Sequence, residues 1–133
     1  MQQISRKQTL RILSGFALGA TPALSKTPKP FTKTLDCPNG DCSLLEGTPQ
    51  TAGMRSGFVR LKLGATVGWH TTGHHEEALV ILHGAGSALI DGQPALAFAA
   101  PAAVYIPPET RHNVKNTGAE PLEYVYVVAP VRS

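Results

Sequence analysis

The 133-residue sequence has no composition break that would separate two domains, no internal repeat, and no apolar run long enough to span a bilayer. One domain without a stable membrane anchor is therefore expected. After residue 30 no stretch carries a convincing helical period, which excludes a helical bundle. Acidic residues are absent from positions 1–25, where Arg6, Lys7 and Arg11 account for the whole formal net charge of +3. The remainder is neutral and lacks the clustered positive charge that a phosphate backbone demands, so no nucleic-acid partner is expected. Cysteine is scarce as well: Cys37 and Cys42 have no second pair of Cys or His at zinc-finger spacing. What is present is 42% hydrophobic and 16% charged residues, with 13 glycines and 11 prolines, a composition suited to a globular, turn-rich chain of short strands.

Residues 1–25 open with basic residues, continue through a modestly apolar segment from Ile12 to Ala20, and reach small residues around Ala23 and Ser25. That is the three-part build of a signal peptide, and it predicts a periplasmic or secreted protein. Ser5, Arg6, Lys7 and Leu10 resemble the twin-arginine export signal, with Lys7 in place of the second arginine and Thr9 in place of the phenylalanine. An amphipathic N-terminal helix is the alternative reading of the same residues. Residues 26–45 read as a linker or tail, since "KTPKPFTKTLD" has two prolines and three lysines without an apolar period. Next comes "CPNGDC", a tight turn closed by its cysteines. In an oxidising compartment this spacing predicts a Cys37–Cys42 disulfide.

Residues 46–133 read as one β domain. "GFVRLKL" alternates with a period of two, as a half-buried strand does, whereas "EALVILHG" is a short continuous apolar run that suits a strand buried on both faces. "SALIDGQPALAF" places Asp91 and Gly92 between two apolar runs, a strong hairpin signal. "AAVYIPP" and "LEYVYVV" add further strands. The expected fold class is all-β, a small barrel or sandwich.

Chemistry concentrates in "HTTGHHEEALVILHG" and "IPPETRHNVKN". On a strand beginning near Glu76, His75 and Glu77 share a face, and His74 and Glu76 share the other. His70 could reach the same interior point across the Thr71–His74 turn, and His112 is the distant fourth candidate. Two or three imidazoles with a carboxylate suit one divalent transition metal: Fe, Mn, Zn, Ni or Cu. His74 and His83 read as surface or turn histidines. Glu76 reads as a carboxylate beside the site that could hydrogen-bond a ligand histidine. Trp69 and Tyr105 read as core or cavity wall, and Arg60 or Tyr105 as contacts to an anionic ligand.

These two stretches resemble the signature motifs of the cupin superfamily, G-x5-H-x-H-x3,4-E-x6-G and G-x5-P-x-G-x2-H-x3-N. Glu77 is followed by six residues and then Gly84, and Pro107, His112 and Asn116 keep the spacing of the second motif. The resemblance spans Phe58 to Val128 and implies a jelly-roll β-barrel whose metal is held by His70, His75, Glu77 and His112, with homodimerisation. The sequence departs from the pattern at Thr72, which stands where the second histidine of His-x-His belongs, so that His75, or else His74, would supply that ligand. It departs again at Glu109, which replaces a glycine, and at Pro101, which replaces another. The functions implied are a small metal-dependent enzyme, a dioxygenase or an isomerase or lyase acting on a small-molecule ligand, or a binding module that captures such a ligand or a metal ion without turning it over.

Overall fold

The computed structural model describes residues 27–132, so the leader expected at 1–25 lies outside the described residues. Nine strands follow one another: β1 Cys42–Glu46, β2 Arg55–Leu61, β3 His70–Thr71, β4 His75–His83, β5 Ala85–Ile90, β6 Leu96–Ala99, β7 Ala102–Ile106, β8 Arg111–Asn116 and β9 Leu122–Pro130. They form a five-stranded sheet in the order β1-β2-β9-β4-β7 and a four-stranded sheet in the order β3-β8-β5-β6. Every pairing is antiparallel. This is the small all-β barrel expected from the strands, in the jelly-roll form that the family resemblance implies. Among the described residues no helix is long and apolar enough to cross a membrane.

β1 starts at Cys42, so the stretch expected as a tail contributes its last residues to the sheet edge, where Cys42 pairs with Phe58. Cys37 and Cys42 are joined by a disulfide across the turn, with Cα atoms 5.5 Å apart. Asp91 and Gly92 turn β5 into β6, with Gly92 at φ +75 and the Gln93 amide donating to the Ile90 carbonyl at 3.1 Å. That φ is the left-handed region in which glycine carries no Cβ penalty.

Register determines what enters the barrel. Across β2, β9 and β4 the partners run Val59–Tyr124–Ile81, then Gly57–Tyr126–Leu79, then Arg55–Val128–Glu77. The first two rows lie in or against the core, whose most buried members include Leu79, Ile81, Ile106, Val114 and Leu122. Full burial of each such aliphatic side chain contributes about 1.5–3 kcal/mol. The third row ends at Glu77, and there the interior changes from apolar to polar.

β4 differs from its sequence reading as a strand buried on both faces. Leu79 and Ile81 are buried, but Val80 and Leu82 are exposed at 41% and 46%, because the opposing sheet covers only one face of β4. Tyr105, on β7 beside Ala78, is likewise on the outside at 57% exposure. It is not a cavity wall.

The loops next to the site are tied by asparagines. Asn116, 1% exposed, donates from Nδ2 to the carbonyls of Leu61 at 3.0 Å and Glu120 at 2.8 Å, and its Oδ1 accepts from the Gly118 amide at 2.9 Å. Asn113 Oδ1 accepts from the Gly68 amide at 2.9 Å and so secures the approach to β3. Glu109 sits at φ 53, where most L residues pay a steric penalty. The turn before β8 thus keeps a glycine-like backbone although glycine is absent.

Candidate metal centre

β3 and β8 pair so that His70 stands directly opposite His112, with ring centroids 4.2 Å apart. Glu77 projects toward them from the other sheet. One ligating atom from each of His70, Glu77 and His112 falls within 4.8 Å of the others. The antiparallel β3–β8 pair thus brings His112 to the stretch that holds His70 and Glu77, a juxtaposition that short-range pattern cannot produce.

Both imidazoles are oriented by backbone carbonyls. His70 Nδ1 lies 2.9 Å from the Gly68 carbonyl and His112 Nδ1 lies 3.0 Å from the Thr110 carbonyl. A carbonyl oxygen only accepts, so each Nδ1 carries the proton and each Nε2 is left as the ligand atom. His112 Nε2 donates to Glu77 Oε1 at 3.0 Å. Burial by itself would lower the His112 pKa, but the hydrogen bond to Glu77, the hydrogen bond to the Thr110 carbonyl and the Glu77 charge together hold it above its ordinary value of 6.5. With no metal, the proton on Nε2 neutralises the buried carboxylate. A divalent cation would take over that role.

The other sequence candidates lie elsewhere. His75 shares the inward parity of Glu77, but it pairs with Pro130, one row nearer the rim, and does not join the cluster. Of the four expected residues the structure brings three together, with a half-buried His75 one row away. His74 is outside, its Nδ1 3.0 Å from Glu109 Oε2. His83 pairs with Glu120 at 3.2 Å on the surface. Thr72 supplies no ligand: its hydroxyl donates to the Pro107 carbonyl at 2.7 Å and accepts from the Thr110 amide at 3.0 Å, clamping the turn that presents His112.

Glu76 faces outward and accepts the Tyr105 hydroxyl at 2.8 Å, which raises the Tyr105 pKa. It therefore supports no ligand histidine. Arg60 pairs with Glu123 at 2.7 Å, away from the cavity, and Trp69 is 45% exposed beneath the Arg111 guanidinium. None of these is an anion contact inside the barrel.

A cavity of about 300 Å³ opens onto His70 and Glu77, with His112 buried behind them, and its wall includes Arg55, Tyr124 and Tyr126. Sequence pattern had not singled these out. Tyr124 is 3% exposed, and burial, followed by the charges of Glu77 and Asp41, pushes its hydroxyl well above the ordinary phenol range. Tyr126 lies across Gly57, where a Cβ would come within 2.6 Å of its hydroxyl oxygen. Glycine at 57 is thus a space requirement that lets this ring lie flat against β2.

Comparison with known proteins agrees with the fold. A family described as "Cupin domain" matches residues 57–128. No curated protein matches the chain. Among solved structures, a Bacteroides fragilis cupin protein is 22% identical, with a TM-score of 0.64, 79% of this chain covered and 88% of that one. A protein described as a predicted oxalate decarboxylase, from Thermotoga maritima, is 24% identical, with a TM-score of 0.63 over 68% of this chain and 79% of that one. The cupin domain of Schizosaccharomyces pombe Cnp3 is 20% identical, with a TM-score of 0.61 over 68% of this chain and 63% of that one.

Proposed function

The chain belongs to the cupin family, and from its cluster of His70, Glu77 and His112 we propose that it is a metal-dependent enzyme acting on a small organic molecule. The observation that carries this reading is the convergence of two Nδ1-anchored imidazoles and one buried carboxylate, with His70 and Glu77 on the wall of a cavity. Nε2 of His70, Nε2 of His112 and the Glu77 carboxylate would hold the ion. Two histidines and one carboxylate form the donor set associated with non-haem iron(II), which makes a dioxygenase the first activity to assay and an isomerase or lyase the second. Three protein donors would leave positions open for substrate, and a bound metal would supply Lewis-acid or redox chemistry there.

The protein's own part is to exclude and orient. The carbonyls of Gly68 and Thr110 fix the two ring orientations, Thr72 fixes the turn beneath His112, and the aliphatic wall keeps the site in low dielectric. The alternative reading, a non-catalytic binding module, would call for an all-apolar pocket. Arg55, Tyr124 and Tyr126 on the wall favour the enzyme.

Elemental analysis of the purified protein tests the proposal. About one equivalent of Fe, Mn, Zn, Ni or Cu is expected in the wild type and less than about a tenth of that in His70→Ala, a position exposed enough to spare the fold. His74→Ala serves as the neutral control. No metal in the wild type after attempted reconstitution would overturn the enzyme reading and leave the binding module.

Export and a homodimer are part of the same proposal. The Cys37–Cys42 disulfide supports an oxidising compartment. The exposed Val80, Leu82 and Tyr105 on the outer face of β4 and β7 support its cover by a second copy. Native mass spectrometry of periplasmic material addresses both: a dimer of chains that have lost about 25 residues is expected, and an unprocessed monomer would refute both.

A further inference from the structure

The wall of the metal cavity contains a cation that the ligand cluster does not use. Arg55 opens β2 with the same inward parity as Gly57 and Val59, and it stands in one row with Val128 and Glu77. Its exposed side chain lines the same cavity as His70 and Glu77. Two strand spacings separate the Cα atoms of Arg55 and Glu77, about 10 Å. Among the described residues Arg55 has no carboxylate within ion-pair distance, whereas Arg60, on the opposite face of the same strand, is paired with Glu123. The anion of the cavity, Glu77, is already engaged by His112.

A second group points the same way. Tyr124 is 97% buried by its 3% exposure, lines the cavity, and its hydroxyl makes no hydrogen bond among the described residues. Tyr126, held against β2 by the space at Gly57, adds a second phenol to the same wall. A buried hydroxyl without a protein partner costs free energy unless a ligand or water satisfies it. An exposed guanidinium in the row of Glu77 and two phenols deeper along β9, all lining one cavity with His70 and Glu77, form an anion site beside an electrophilic site.

Resting on the metal-enzyme reading above, we propose that the substrate is a small carboxylic acid whose carboxylate is held by Arg55, with Tyr124 and Tyr126 as further donors, and whose second donor group faces His70, Glu77 and His112. The planar guanidinium matches a carboxylate through two parallel N–H···O bonds and fixes its orientation as well as its position. A cavity of about 300 Å³ is at the lower end of ligand pockets and limits the acid to a small one. Arg55 is thus the specificity residue, and the metal residues act on the distal end of the acid.

The test is an NMR titration of the ¹⁵N-labelled protein with propionate, benzoate and malonate and with their neutral amides, run once with metal and once in chelator. At least one acid should shift the Arg55 Nε–H signal saturably while its amide does not. Arg55→Gln should weaken that acid at least tenfold, whereas Arg60→Gln leaves it unchanged. Arg55 silent toward all three acids in both forms, or equal affinity in Arg55→Gln, would overturn the proposal. Binding in chelator separates the two readings: acids that bind a protein unable to load metal would leave the Arg55 site standing and remove the enzyme. Metal loading without any acid response would do the reverse.

Discussion

Glu77→Gln should leave the protein folded but cut its affinity for a divalent metal at least about a hundredfold. The amide keeps the shape of the side chain on β4, so the packing of the neighbouring Leu79 is undisturbed, but it removes the single negative charge of the donor set. Metal ligands bind deprotonated, and an amide is a far weaker donor than a carboxylate. Competition against a chromophoric chelator reads the change. Retention within about threefold would exclude Glu77 as a ligand.

The same variant changes the pH dependence of the metal-free protein. His112 has a folded pKa above its ordinary value of 6.5, so the folded state binds its proton more tightly than the unfolded state does. That contribution is fully present below about pH 6.5 and is lost as pH rises through the raised folded value. Urea unfolding in chelator should therefore show stability falling above pH 6.5, and the fall should flatten in Glu77→Gln, which lacks the charge that raises the His112 pKa. An equal slope in both proteins would show that another group controls that window.

Asn116→Ala should cost about 3 kcal/mol, lowering Tm by roughly 15 °C. Its side chain serves three backbone groups at once: the carbonyls of Leu61 and Glu120 and the amide of Gly118. Water can reach the turn at Gly118, but Leu61 is buried, so truncation leaves at least one carbonyl with no partner in a dry environment. Urea midpoints should fall with the slope unchanged, since the surface exposed on unfolding stays the same. A cost below about 1 kcal/mol would mean that the turn between β8 and β9 re-forms without the asparagine. The second cupin motif would then be conserving something other than this clasp.

Much of this architecture was legible along the chain. The period-two run "GFVRLKL" located β2, "LEYVYVV" located β9, the Asp91–Gly92 pair located the β5–β6 hairpin, and the spacing from Glu77 to Gly84 and from Pro107 to Asn116 carried the family. Each is a local property: side-chain parity, turn chemistry or separation within one motif. The role of Thr72 was half legible, since its place in the motif showed a ligand missing but not that its hydroxyl clamps the turn before His112.

Sequence alone determined most of the strands, the hairpin, and Glu77 and His112 as members of one candidate site. Which of His70, His74 and His75 joins Glu77 and His112 was decided by the β3–β8 pairing, which sets His70 against His112 and leaves His75 one row out. The exposure of Val80 and Leu82, and the placing of Arg55 rather than Arg60 at the cavity, were decided in the same way. Parity along a strand says which side chains share a face, but only the long-range pairing of strands and the closing of one sheet over the other say what that face meets.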